Sequence, residues 1–324
     1  MRWTPALCLL LAPLGCDDAP VPKPDLATLP SALPTEPKLE APEPPPVLGP
    51  AETVPAGAKA CGVARCLEFP APVDAFRHVL SRKPRVLAVG EAHALKGTED
   101  VRSSTARFTT ELLPELRGQA SDLILELWFP NPSCKKETIK KVEAQQAVVT
   151  ERQATSNQNE FVELGNVAKR LGIQPKALEP SCEDLQKITE VGTADIALML
   201  ETVAKYTALD ARARLAKQKE PKVIVLYGGA MHNDLHPRPG AEAWTFGPEL
   251  SRESEYLALD LIVPEYIKDT DAWRMMPWYE AYTERTAKAD SKPSTATLLY
   301  EPRARELVLI FPRSSASRPA GEGR

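Results

Sequence analysis

Four short, almost wholly apolar runs, each followed by enough chain for a helix, constrain this protein more than any other feature. They span residues 85–90, 122–129, 223–227 and 256–263. Runs this short and this rich in Val, Ile and Leu read as strands buried on both faces, the pattern of a parallel sheet. A further strand is predicted over 173–179, after the Leu171-Gly172 break. Between the strands, 73–80 shows a helical stripe of Phe76, Val79 and Leu80, and 104–116 reads as a second helix. Residues 135–171 read as helical and mostly polar, and 194–218 as one long helix burying Ile196, Leu200, Val203 and Leu209. Two last segments, 295–300 and 306–311, flank Pro302-Arg303-Ala304-Arg305 as a hairpin. The expected fold is α/β: a mainly parallel sheet, helices on both faces, a helical cap insertion and a C-terminal β-hairpin. In such folds the ligand cleft lies at the C-terminal ends of the strands.

The first 15 residues carry one charge, Arg2, then an apolar run over 6–12 and Leu14-Gly15-Cys16. A short basic start and a short apolar core make an export signal, too short to span a bilayer. Its end resembles the bacterial lipobox, which implies lipidation of Cys16 and a mature chain that begins there. The alternative is an ordinary signal cleaved elsewhere. Residues 17–57 hold twelve prolines and no aromatic residue. Such a segment cannot bury enough apolar surface to offset the entropy of ordering, and it reads as a polyproline-type tether. At about 3.1 Å per residue it reaches on the order of 100 Å. The predicted organisation is a signal over 1–15, anchor and tether over 16–60, one domain over 61–312 and a disordered tail over 313–324. The implied location is the bacterial cell envelope, lipid-anchored, with the domain facing the periplasm or the exterior. A net charge of −4, with Lys and Arg dispersed, argues against a nucleic-acid partner, which needs a basic footprint.

Six cysteines are present. Cys8 leaves with the signal and Cys16 is the anchor, so Cys61, Cys66, Cys134 and Cys182 remain. An even count in an oxidising compartment reads as two disulfides. Three pairings are open, and Cys61–Cys66 with Cys134–Cys182 is favoured. A functional thiol at Cys182 is the alternative.

Chemistry-bearing residues gather at the strand ends. The first strand ends in Gly90-Glu91-Ala92-His93, the second carries Glu126 in an apolar run, and the fourth ends in Gly228-Gly229-Ala230-Met231-His232. Parallel strands bring these ends to one rim. Glu91 and His93, two apart in extended chain, share a face. A carboxylate inside a buried strand is costly unless it is paired or bound to a cation. Two His and two Glu suffice for a zinc or manganese site with an open position for water. The same groups can also act without metal, as Glu–His general-base pairs. Other readings stay open: Glu126 could pair with Arg85 or Lys222, and His236 stands four residues after His232, the spacing of a helical zinc pair.

The segments 89–93, 125–127 and 227–232 resemble the superfamily that joins the ChaN haem-uptake lipoproteins, the erythromycin esterases and the TraB/Tiki proteins. Its members have a strand ending in Gly-Glu-x-His, a later strand Glu, and a strand ending in Gly-x-x-His or Gly-His. The resemblance covers roughly residues 85–265, suits the ChaN-like branch best, and implies that Glu91, His93, Glu126 and His232 are site residues. After His93 the ChaN-like proteins continue with Asp or Asn and further His, where this chain has Ala94-Leu95-Lys96-Gly97. The leading expectation is a metal-assisted hydrolase of esters or peptides. The alternatives are a haem-binding or iron-uptake lipoprotein, with Tyr227, Met231, His232 or His236 as axial ligand, and a non-catalytic envelope protein with a relict site.

Overall fold

The apolar runs form the centre of one sheet. The computed structural model describes residues 45–129, 131–190, 196–288 and 296–314; the signal, Cys16 and most of the tether lie outside them. The strands are β1 (Lys59–Ala60), β2 (Leu67–Phe69), β3 (Val86–Glu91), β4 (Ala120–Trp128), β5 (Gln174–Leu178), β6 (Val223–Gly229), β7 (Tyr256–Ile262), β8 (Thr297–Arg303) and β9 (Glu306–Ile310). Their order across the sheet is β1-β2-β8-β9-β7-β3-β6-β4-β5. β3 has a parallel partner on each side, β6 and β7, and β4, β5 and β9 extend the parallel part. β8 and β9 form the C-terminal hairpin, and β2 and β1 continue it antiparallel. These last two strands were not expected, because two or three residues carry no readable alternation.

Helices cover both faces. Alternation along β3 sends Leu87 and Val89 into one layer and Val86 and Ala88 into the other. The first layer packs under α1 (Pro72–Leu80), the α2 segment (Ser104–Arg107) with the turn that follows it, and, beyond α3 (Lys136–Val149), α4 (Asn157–Arg170), through Phe76, Phe108 and Leu164. Each such side chain contributes about 1.5–3 kcal/mol by leaving water. The helix predicted over 104–116 widens at Phe108–Leu112 and tightens at Leu113–Leu116. Pro114 has no N–H to continue a regular ladder. The opposite face is covered, after α5 (Cys182–Glu190), by α6 (Ile196–Lys217) and α7 (Gly247–Glu253). Two further helices, α8 (Asp271–Arg274) and α9 (Tyr279–Lys288), pack beside the hairpin.

Several expectations need correcting. The polar 135–171 region is not all cap, because α4 sinks Phe161, Leu164 and Ala168 into the core. On α6, Ile196 and Leu209 are 52% and 47% exposed. Val203 is buried as expected, and the rest of the stripe is Met199, Thr207, Ala208 and Ala211, whose small members allow close approach but carry little hydrophobic signal. The tether reaches the domain earlier than residue 61. Leu48 N–H donates to Pro302 O at 2.8 Å, and Leu48 O and Gly49 O accept from Ala64 and Arg65 N–H, both at 2.8 Å. Residues 313–314 are likewise held, with Ser314 N–H on Glu265 Oε1 at 2.6 Å.

Cys61 pairs with Cys66, and Cys134 with Cys182, at Cα separations of 4.9 and 5.2 Å. The second bridge closes a small separate core over the sheet's β4–β5 end, formed by Val142, Leu185, Ile188 and Met199. No helix among the described residues is long and apolar enough to cross a membrane.

Candidate functional site

Three strand ends build the site, and close packing at glycine decides its shape. Gly90 lies opposite Gly228 on β6 and Asp260 on β7, and Glu91 opposite Gly229. A Cβ on Gly228 would stand 2.5 Å from Glu126 Oε2, so only hydrogen fits there. The β4–β5 register shifts between Leu125 and Trp128. Glu126 sits at that irregularity, the kind of place where a strand re-aims a side chain.

Glu91 is buried, and both of its oxygens are engaged. Oε1 lies 2.8 Å from His93 Nδ1, and Oε2 accepts from Thr105 Oγ1 at 2.6 Å and from the Tyr227 hydroxyl at 3.1 Å. The Tyr227 ring is held between Phe108 and Phe161, at centroid distances of 4.9 and 5.5 Å. With Nδ1 committed to Glu91, His93 turns Nε2 toward the cleft. Glu126 Oε2 accepts from Gly229 N–H at 2.5 Å, and Oε1 lies 3.5 Å from His232 Nε2. His232 Nδ1 is 2.6 Å from Trp244 O, which accepts its proton. Its carbonyl is held by Phe246 N–H and the Thr245 hydroxyl. His93 Nε2, Glu126 Oε2 and His232 Cδ2 stand 3.3, 3.5 and 3.8 Å from the point a Cβ on Gly229 would occupy. One small volume over Gly229 is therefore faced by all three side chains.

These contacts set the charges. Burial works to lower the His93 pKa, but the hydrogen bond and charge of Glu91, with the charge of Glu126, raise it to about 9. Burial works to raise Glu126, and the charge and hydrogen bond of His232 overcome it, with His93 and Gly229 N–H helping, to leave it at about 2. His232 is raised against its own burial by Glu126 and by Trp244 O. At neutral pH the rim holds a carboxylate at Glu126 and an imidazolium at His93.

The remaining candidates are placed elsewhere. Tyr227 is 2% exposed and spends its hydroxyl on Glu91, so its ring and oxygen do not face the cleft. Met231 is 42% exposed on the turn. His236 points toward Glu306, 3.9 Å away, and not toward His232, because the chain after β6 is a turn and the helical i, i+4 geometry never forms. Arg85 bonds Gln218; Glu126 takes His232 as its partner instead. The proposed metal set of Glu91, His93, Glu126 and His232 does not fit a metal ion: among the described residues no group of three or more His, Cys, Asp or Glu is placed to hold one. The oxygens of Glu91 serve His93, Thr105 and Tyr227, and those of Glu126 face Gly229 N–H and His232 Nε2. Thr105 and Trp244 were not anticipated. A hydroxyl in a helix and a backbone carbonyl leave no signal in a sequence.

A cleft of about 150 Å³ opens beside His93 and Glu126 and is walled by α3, α4 and α6. The loop after His93 is tied to this wall: Ala154 N–H and the Asn157 side chain both donate to Ala94 O, at 2.8 and 3.1 Å.

No family model matches the chain, and no curated protein does. Among solved structures it is similar to the type III effector HopBA1, at 11% identity over 74% of this chain and 94% of that one, with a TM-score of 0.35. It is also similar to ChaN of Campylobacter jejuni, whose structure is described as cofacial haem binding, at 12% identity over 60% and 87%, with a TM-score of 0.30. A protein from Bacillus cereus matches at 10% identity over 75% and 92%, with a TM-score of 0.35. At such values none of the three bears on the chemistry of the rim.

Proposed function

We propose that the rim is the active site of a hydrolase acting on an ester or peptide carbonyl by acid–base chemistry, in a lipid-anchored protein of the cell envelope. One observation carries this reading: His93 Nε2, Glu126 and His232 face a single point over Gly229, and each imidazole is fixed through its Nδ1. Glu126 accepts a proton from the water that attacks the carbonyl carbon and returns it to the leaving alkoxide or amine as the carbon–oxygen or carbon–nitrogen bond breaks. The His93 imidazolium donates to the carbonyl oxygen as negative charge builds on it, and His232 holds Glu126 from the far side. Glu91, with Thr105 and Tyr227 behind it, keeps His93 charged and aimed. No step needs a metal, and the committed oxygens of Glu91 favour this route over the metal-assisted one. The Gly-Glu-x-His and Gly-x-x-His motifs add support, because the superfamily they resemble includes esterases. For the envelope setting, the support is the lipobox-like Leu14-Gly15-Cys16 and the two disulfides.

The test is hydrolysis of nitrophenyl esters and peptide nitroanilides by the purified protein. Glu126→Gln is expected to lower kcat at least 100-fold, within the range for loss of a general base, with unchanged circular dichroism. Activity that survives this change overturns the reading. A sharp Soret band on haem titration, with no hydrolysis of either substrate type, would favour a haem-binding protein instead.

A further inference from the structure

The walls of the cleft carry a second message, about what it accepts. Phe161, Trp128, Val149, Met199 and Val203 supply an apolar surface, and Gln146, Gln153 and Gln158 supply neutral amides. His93 and Glu126, the reacting pair, are the only titratable side chains among the described residues that line it. Nothing in the wall matches a carboxylate, phosphate or ammonium group on the far side of a ligand. A charge placed there would lose its hydration with no partner in return. Size narrows the class further. An apolar cavity of about 150 Å³ holds roughly one benzene ring, and this cleft has about that volume. Sites for whole drug-sized ligands measure about 300–1,000 Å³.

We propose that the cleft is an acyl pocket that selects an uncharged apolar group of one aromatic ring or a short alkyl chain, with α3, α4 and α6 as its specificity-determining wall. This rests on the hydrolase reading of the rim. The reacting carbonyl lies against His93 and Glu126, the two rim residues that line the cleft, and the acyl group extends along Trp128 and Phe161 toward Met199. Gln158 is exposed at the mouth and is the position at which the neutral wall can be changed without disturbing the core.

Two measurements on the full chain separate the outcomes. The first is kcat/KM for nitrophenyl acetate, butyrate, hexanoate, decanoate and phenylacetate, with the hydrogen adipate ester as the charged counterpart of hexanoate. An increase of about fourfold per methylene is expected while each is buried, the equivalent of 0.8 kcal/mol, with a maximum at or below hexanoate. The adipate is expected at least tenfold below hexanoate, and Gln158→Lys should narrow that gap at least threefold. A flat series, or a preference for the charged acyl group, overturns the acyl pocket and leaves the hydrolase standing. The second is calorimetric binding of hexanamide against adipic acid monoamide, which needs no turnover. If no ester is cleaved but hexanamide binds at least tenfold better, the hydrolase reading fails and the neutral apolar pocket stands. Equal binding, or no binding of either amide, overturns the pocket.

Discussion

Glu91 holds three hydrogen bonds on two oxygens and touches no point of the cleft itself. Its effect passes through His93, whose pKa it raises to about 9. A raised imidazole pKa keeps the acid form through neutrality and loses it as pH climbs past that value. The pH profile of kcat/KM is therefore expected to fall on its alkaline side near pH 9. Glu91→Gln removes the charge but keeps the shape, so this limb should move down toward 6.5 while acidic-side activity persists. An unmoved limb would show that another group titrates. Much of this cluster was legible in the chain, because Glu91, His93, Glu126 and His232 end or interrupt strands that a parallel sheet must align. The supports were not legible. Tyr227 suggested an axial ligand, since nothing local to it reveals that Thr105 and Glu91 meet its hydroxyl from 122 and 136 residues away.

At the scale of elements, the strands were read best and the helical faces worst. Strands buried on both sides announce themselves by unbroken Val, Ile and Leu. α6 hides its contact face in Ala and Thr, and β2 is held by β8, and β1 by β2, more than by any preference of their own. The cap over the β4–β5 end has a core of few residues, so its bridge matters. Cys134 and Cys182 close a loop with a sequence separation of 48, for which chain entropy gives about 4 kcal/mol. Cys134→Ala with Cys182→Ala is expected to expose residues 131–190 to limited proteolysis well before the sheet unfolds. Cleavage only at the temperature of global melting would show that cap and sheet open together.

For the whole molecule, four half-buried groups contribute to the dependence of stability on pH. His93, raised from 6.5 to about 9, stabilises fully below 6.5, and this is lost as pH rises through 9. Glu126, lowered from 4.5 to about 2, stabilises above 4.5, and this is lost as pH falls toward 2. Burial raises Asp260 to about 7, with Asp234 and Glu306 adding to it. Burial and Asp234 raise Glu306 to about 7 as well. These two acids withdraw stability as pH rises from their ordinary values, 3.8 and 4.5, to about 7. The melting temperature should peak near pH 4–4.5 and decline from there toward pH 9, and Asp260→Asn should flatten the part of the decline below pH 7. A maximum above pH 8 would contradict these assignments. At the same scale, Cys16→Ser is expected to leave the protein in the soluble fraction after a high-salt wash; retention on membranes would rule out the lipid anchor. The connectivity carries one more consequence. The groups proposed to react stand at the ends of β3, β4 and β6, while most of the cleft wall comes from chain inserted between β4 and β6 and clamped by its own disulfide. On the proposed reading, chemistry and selection are thus written in different stretches of the gene. Recombination that exchanged only the inserted stretch would hand a descendant a new diet with its inherited reaction intact.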